Sequence, residues 1–418
     1  MKLPVLRYGI DNLDKVFSRS QINDDNRTES VRNIIADVKT RGDAALYDYS
    51  LKFDGLKIDK DTIRVSQEEL DNAYSSVDPE LLAAMKRAKE SVLDYHKRQL
   101  ISSETDGKTG WMMKPLNRAG IYVPGGTAPY PSSVLMCVLP AVAAGVKEIV
   151  VTTPNPRNAL TLAALKECGV KEVYRVGGAQ AVAALAYGTE TIRKTDIIAG
   201  PGNVYVTLAK KEVFGSVAID MLAGPSEILV IADDTAVPEY VIADLLSQAE
   251  HDRMSAAILI TTSEKLAEYV SNNLFVEGMK LSRKDIISES LKANSSIIKV
   301  DTVEQALEIS DRIAPEHLEL CMKDASEVAL KVSNAGAVFV GNYSPEPLGD
   351  YVAGPSHVLP TSGTARHFSV LNALTFMKRI SRIEYNKDDF KKVQDDIIKL
   401  AECEGFAAHA LSAKVRKA

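Results

Sequence analysis

The 418-residue chain contains no run of about 18 uncharged apolar residues, which excludes a conventional membrane-spanning helix. It has no excess of basic charge. Lys and Arg number 50 against 56 Asp and Glu, and the net charge of −6 gives no basis for binding nucleic acid or an anionic membrane. The four cysteines, Cys137, Cys168, Cys321 and Cys403, are scattered and form no CxxC pair. They read as reduced, structural thiols of a reducing compartment, and a cysteine nucleophile is set aside. The opening MKLPVLRYGIDNLDK lacks an apolar core after its lysine and is not read as a secretory signal, so a cytoplasmic setting is expected. The dinucleotide fingerprint GxGxxG is also missing: in GPGNVY (200–205), Tyr205 stands where the third glycine should be.

What is present is an ordinary globular composition, 45% apolar and 25% charged, in a chain longer than one hydrophobic core usually serves. Two or more domains are expected. The first 110 residues are charged and read as helical, including DPELLAAMKRAKESVLDYHKRQL, whose acidic start and basic end suit the helix dipole. His96 falls in this polar run and is expected on the surface. From Gly120 the texture changes to β-rich runs alternating with Ala-rich helices: AGIYVPGG, SSVLMCVLPAVAAG, KEIVVTTP, RNALTLAALKECG, KEVYRVGG, AQAVAALAYG, DIIAGPG. After a helix over 237–253, AAILITT, SSIIKV, EHLELCM and GAVFVG continue the rhythm. A βαβα order of this kind predicts parallel sheets covered by helices, here in two α/β units. The glycine loops VPGG (123–126), VGGAQ (176–180) and AGPGN (199–203) end predicted strands, where such loops line a ligand crevice and following helix starts hold anions. Glycines also end strands for turn geometry alone.

The candidate chemistry is dispersed. In LLSQAEHDR (245–253), Gln248 and His251 are three apart on a helix and project together, so an amide oxygen and an imidazole could share a cation. A solvent-facing histidine at a helix end is the competing reading. PEHLEL sets Glu316 beside His317 at the start of a strand, where neighbours point to opposite faces unless Pro315 bends the chain. A carboxylate beside an imidazole forms an acid–base team: one holds a water while the other takes protons. Asp350 and His357 bracket GDYVAGPSH within an irregular stretch from Tyr343, and Glu404 and His409 bracket ECEGFAAH. Five residues apart, the last two do not superpose on one helix unless Gly405 loosens it, and a buried His409 needs polar partners. His367, beside Arg366, reads as a surface or anion-facing residue. Taken singly, each histidine is more often structural than a ligand. One amide oxygen, one carboxylate and two imidazoles together suit zinc, or manganese, iron or cobalt. Spacing alone does not assemble that set.

Taken together, the stretches resemble the histidinol dehydrogenase family. The matching text is NRAGIYVPGGTAPYPSSVLM (117–136), GGAQAVAALAYGT (177–189), AGPGNVYVTLAK (199–210), IDMLAGPSEILVIAD (219–233), ADLLSQAEHD (243–252), RIAPEHLEL (312–320), GDYVAGPSHVLPTSGTAR (349–366) and AECEGFAAHA (401–410). The resemblance implies oxidation of L-histidinol to L-histidine through L-histidinaldehyde, with two NAD+ consumed, at the end of histidine biosynthesis. It implies one Zn2+ per active site, held by Gln248, His251, Asp350 and His409, the last from the partner of an intertwined homodimer. Ser226, His317, His357 and Glu404 then complete the substrate pocket, and Tyr122, Gln180 and Asn203 contact NAD. Glu316 activates water and His317 serves as base.

The implied fold is a pair of incomplete Rossmann-like αβα units with helical extensions. An N-terminal arm covers 1–20, the first α/β domain 21–119 with 234–370, the second 120–233, and a helical tail, docked on the partner, 371–418. The segment 366–385 departs from the family text, with His367 and Phe368 where a Phe–Ser pair is expected, which leaves selectivity open. The alternatives are a related dehydrogenase of another small primary alcohol and a non-catalytic α/β metabolite-binding protein.

Overall fold

The computed structural model describes residues 2–18, 25–125, 129–154 and 158–416. Gly126 of the first glycine loop, and Met1 and residues 19 and 20 of the expected arm, lie outside them. The chain forms two compact units, Met1–Leu100 with Leu116–Phe376, and Ile101–Pro115 with Met377–Ala418.

The larger unit holds two all-parallel sheets, as the βα rhythm predicts. One contains β3 (Arg118–Tyr122), β4 (Glu148–Thr152), β5 (Glu172–Tyr174), β6 (Ile197–Ala199) and the two-residue β7 (Ala218–Ile219), in the order β5-β4-β3-β6-β7. The other contains β1 (Val5–Arg7), β8 (Glu227–Ala232), β9 (Ala256–Thr261), β10 (Ser296–Lys299), β11 (His317–Cys321) and β12 (Ala337–Val340), in the order β1-β10-β9-β8-β11-β12. Strands covered on both faces need apolar residues on both. Accordingly β3, β8, β9 and β11 are buried at every position. Chain order reverses between β3 and β6 in the first sheet and between β8 and β11 in the second, and such reversals open a crevice.

Gly200, just past β6, has φ +118°, and a Cβ there would collide with the carbonyl oxygen of Tyr122. Its peptide is gripped from both sides by a buried ion pair, Lys210 with Asp220. Lys210 Nζ donates to the Gly200 carbonyl at 3.1 Å, and the Gly200 N–H donates to Asp220 Oδ2 at 2.8 Å. The AGPGN turn is therefore held from inside the protein.

His96 is fully buried, contrary to the surface placement expected from its polar neighbours. It continues the buried stripe Met85, Ala88 and Val92 of the helix Pro79–Arg98, and its Nδ1 lies 2.9 Å from Gln99 Oε1. Helical period outweighs local composition here. Cys137, Cys168 and Cys321 are buried and Cys403 is exposed, all unpaired. Among the described residues no helix is long and apolar enough to cross a membrane.

In the smaller unit, β2 (Thr109–Pro115) pairs antiparallel with β13 (Met377–Ile383), Pro115 opposite Met377. The helical tail accordingly begins at Lys387, not at 371: residues 377–383 are a strand because a partner strand more than 260 residues earlier completes the ladder. The helix Lys387–Cys403 ends at Glu404, Gly405 turns with φ +78°, and Ala407–Lys414 forms a second helix against it.

Replacing Lys210 with Met strands the buried Asp220 carboxylate. The expected loss is about 3–5 kcal/mol of unfolding free energy, read from urea denaturation. A loss under about 1 kcal/mol would show that the pair is not the anchor of this turn.

Candidate functional site

The acid–base pair forms at the amino edge of the six-stranded sheet. The helix Val303–Ile313 ends with Ala314 in the left-handed region (φ 51°), and Pro315 then directs the chain into β11. This bend brings Glu316 and His317 to one place, with Glu316 Oε2 3.6 Å from His317 Nδ1. Glu227, the first residue of β8, holds both. Its N–H donates to Glu316 Oε2 at 2.9 Å, and its carbonyl lies 3.1 Å from His317 Nδ1. A carbonyl only accepts, so Nδ1 carries the proton and the lone pair is left at Nε2. Burial pushes His317 down to about 3 and raises Glu316 well above the usual carboxylate range. Gly336 is required beside them, because a Cβ there would sit 2.5 Å from the Glu316 carbonyl oxygen.

The cation candidates gather near this pair. The helix over 237–253 is shorter than expected: it runs Pro238–Ala249, and His251 lies in the turn beyond it, its N–H donating to Gln248 O at 3.2 Å. Gln248 is completely buried, and neither atom of its amide has a hydrogen-bond partner. The short helix Glu346–Tyr351 supplies Glu346 and Asp350 from one face. His251, Glu346 and Asp350 each offer one ligand atom, all within 4.8 Å of one another, an arrangement that could hold a metal ion. Burial pushes Asp350 up to about 6 and Glu346 up to about 8. His357 Nδ1 lies 3.6 Å from Asp350 Oδ1, and its Nε2 lies 3.2 Å from Ser133 Oγ. Burial pushes His357 down to about 4. A cavity of about 300 Å³ opens here, lined by His317, Phe339, Asp350 and His357 among others.

Ser133 belongs to the first turn of the helix Pro131–Ala144, which follows β3. The carboxyl edge of the first sheet therefore meets the amino edge of the second. On that first edge, Tyr122 ends β3 and its hydroxyl oxygen accepts the Gly178 N–H at 3.1 Å. Burial pushes Tyr122 up to about 12. Gln180, one turn into the helix Gly178–Tyr187, is buried with both amide atoms unpartnered. Asn203 caps the helix Val204–Val213, its Oδ1 accepting from Tyr205 and Val206 at 3.0 and 3.2 Å. Unpartnered buried amides cost free energy unless a ligand completes them, so Gln180 fits a polar cofactor group and Gln248 a cation.

The larger unit thus joins His251 with Asp350, Glu316 with His317, and Tyr122 with the Gly178–Gln180 turn. Ser226 directly precedes β8, its carbonyl accepting from Ala256 at 3.1 Å. Glu404 and His409 stand in the smaller unit, both exposed, with the His409 ring 5.1 Å from that of Phe406. His409 thus faces solvent within one protomer. His367 is exposed, as expected. Sequence reading missed Glu346, although the spacing from Glu346 to Asp350 after Pro345 was a usable signal. It also missed Glu227 and Glu319, whose Oε1 accepts the Glu346 N–H at 2.6 Å. Their backbone contacts leave no mark in the sequence.

Residues 17–417 match the family model described as histidinol dehydrogenase. A histidinol dehydrogenase of Heliobacterium mobile is 49% identical over 421 residues, covering 99% of each chain. One of Bacillus subtilis is 48% identical over 398 residues, 93% of each. The crystal structure of histidinol dehydrogenase from Elizabethkingia anophelis is similar with a TM-score of 0.93 at 38% identity, covering 100% of this chain and 98% of that one.

Carboxyls raised by burial bind more protons in the folded than in the unfolded protein, so stability falls as pH climbs from their ordinary values to their raised ones. Below about pH 6.5 the lowered His317 and His357 act in the opposite sense, so metal-free protein should melt progressively lower from about pH 6.5 to about pH 8, as Glu346 ionises. Added zinc should flatten that slope in melting scans. Parallel slopes with and without zinc would separate these carboxyls from any cation.

Proposed function

The chain belongs to the histidinol dehydrogenase family, from which we infer that it is an NAD-dependent enzyme that oxidises L-histidinol in histidine biosynthesis. The finer reading is a four-electron oxidation to L-histidine through L-histidinaldehyde. The observation that carries it is the tie of His317 Nδ1 to the Glu227 carbonyl, which leaves the lone pair at Nε2 on a ring that lines the cavity.

In this reading Gln248, His251 and Asp350, with His409 of the partner subunit, hold Zn2+, which supplies a Lewis-acid anchor for the substrate imidazole. Tyr122, Gln180 and Asn203 hold NAD+, which supplies the hydride acceptor, one molecule for each oxidation. His317 Nε2 takes the hydroxyl proton as the first hydride leaves the alcohol carbon, and the aldehyde results. Glu316, once ionised, takes a proton from the water that adds to the aldehyde. His317 then takes a hydroxyl proton of the hydrate as the second hydride leaves, giving the acid. Substrate, water and two NAD+ thus yield histidine and two NADH, with the protons passing to solvent. Ser226, His357 and Glu404 complete the pocket. Holding one carbon in place through both oxidations supplies several kcal/mol of barrier lowering by positioning.

The shared site is supported by the exposed apolar residues of the smaller unit, Ile383, Leu400, Phe406, Leu411 and Val415. A homodimer in which this tail docks on the partner buries them and carries Glu404 and His409 to the neighbouring pocket. The boundary at 234 falls after β8, which pairs with β9 and β11, so the six-stranded sheet begins before it.

Purified enzyme with L-histidinol and zinc should release about two NADH for each histidine formed. Glu316→Gln should oxidise supplied aldehyde poorly, while alcohol oxidation with an aldehyde trap suffers less. Equal losses in both half-reactions would remove Glu316 from water activation. Mixing His409→Asn with Glu316→Gln protein should restore part of the activity in verified mixed dimers, and no recovery there would end the shared-site reading.

A further inference from the structure

We propose that Glu346 is a further ligand of the cation site, supplying its second carboxylate through Oε1; this rests on the cation site of the reading above. Glu346 is 1% exposed. Its Oε2 accepts from Ser247 Oγ at 2.9 Å, whereas its buried Oε1 has no hydrogen-bond partner. Among the described residues, neither Glu346 nor Asp350 has a lysine or arginine within ion-pair distance. The titratable groups facing them are each other, His357, whose Nδ1 lies 3.6 Å from Asp350 Oδ1, and His251, whose Nε2 lies 3.9 Å from Glu346 Oε1.

Geometry and charge agree. Zinc–nitrogen and zinc–oxygen bonds of about 2.0–2.2 Å place the donors around one ion up to about 4.3 Å apart. The atoms of His251, Glu346 and Asp350 lie within 4.8 Å of one another, so small side-chain rotations close the set. Independently, the unpartnered Gln248 amide stands three residues before His251, in the same helix turn as Ser247. Two ionised carboxylates match a divalent ion, whereas Asp350 alone would leave one positive charge uncompensated at the ion and an unpartnered oxygen at Glu346. Burying either separately is costly. The Glu346 backbone is fixed as well, since its N–H is bound by Glu319 at 2.6 Å.

The test uses the full-length dimer, with zinc affinity measured by competition against a chromophoric chelator and visible absorption recorded after cobalt substitution. Glu346→Gln keeps a partner for Ser247 but loses the charge. It should weaken zinc binding by more than about 100-fold, beyond the loss typical of a residue that only orients a ligand, and alter the cobalt bands. Glu346→Asp should recover part of the affinity, and it replaces the first variant if that one does not fold. Unchanged affinity and unchanged cobalt bands in the Glu346 variants, with metal lost from His251→Asn, would overturn the proposal while leaving the rest of the site standing. If His251→Asn also keeps its metal, the proposal and the cation reading beneath it both fall.

Discussion

The register of β8 against β11 is the constraint on which the site depends. His317 pairs across the ladder with Ile228, one place beyond Glu227. That offset lets the Glu227 peptide reach Glu316 with its N–H and His317 with its carbonyl. A slip of one residue would turn each side chain of β11 to the other face and take the carboxylate and the imidazole away from the Glu227 backbone. The apolar run EILVIA, buried throughout, makes such a slip costly. Catalytic geometry is therefore a by-product of core packing, because the residues that fix the register are the hydrophobic ones.

A second constraint is electrostatic. Among the described residues, Glu316, Glu346, Asp350 and Glu319 have no lysine or arginine within ion-pair distance, and burial raises all four. A core built only for stability would not gather them, since each unpaired buried charge opposes folding. The arrangement has a physical rationale once a cation and a polar substrate supply the missing positive charge and hydrogen bonds. Perturbed carboxyls and imidazoles around one cavity are also what acid–base chemistry requires.

Much of this was legible in the sequence. The alternation of β-rich and Ala-rich runs gave both sheets, because buried parallel strands need continuous apolar text. Glu316 and His317 announced themselves by adjacency, and Pro315 by its power to bend. Gln248 and His251 read as sharing a helix face, but the helix ends between them, and the contact that joins them is the backbone bond from the His251 N–H to the Gln248 carbonyl. What escaped the sequence was long range. Nothing local tells that β13 pairs with residues 109–115, or that Glu227 serves the acid–base pair through its peptide and not its side chain. His96 was misjudged because charged neighbours distracted from its place on the buried stripe.

The internal grip on Gly200 has a consequence for how the two edges behave when empty. Lys210 and Asp220 satisfy the turn from below, so the AGPGN loop keeps its shape by contacts within the protein alone. Across the junction both amide atoms of Gln248 and Oε1 of Glu346 are buried with no hydrogen-bond partner. One wall of the active site is thus a finished mould, while the other is an open circuit that its occupant closes.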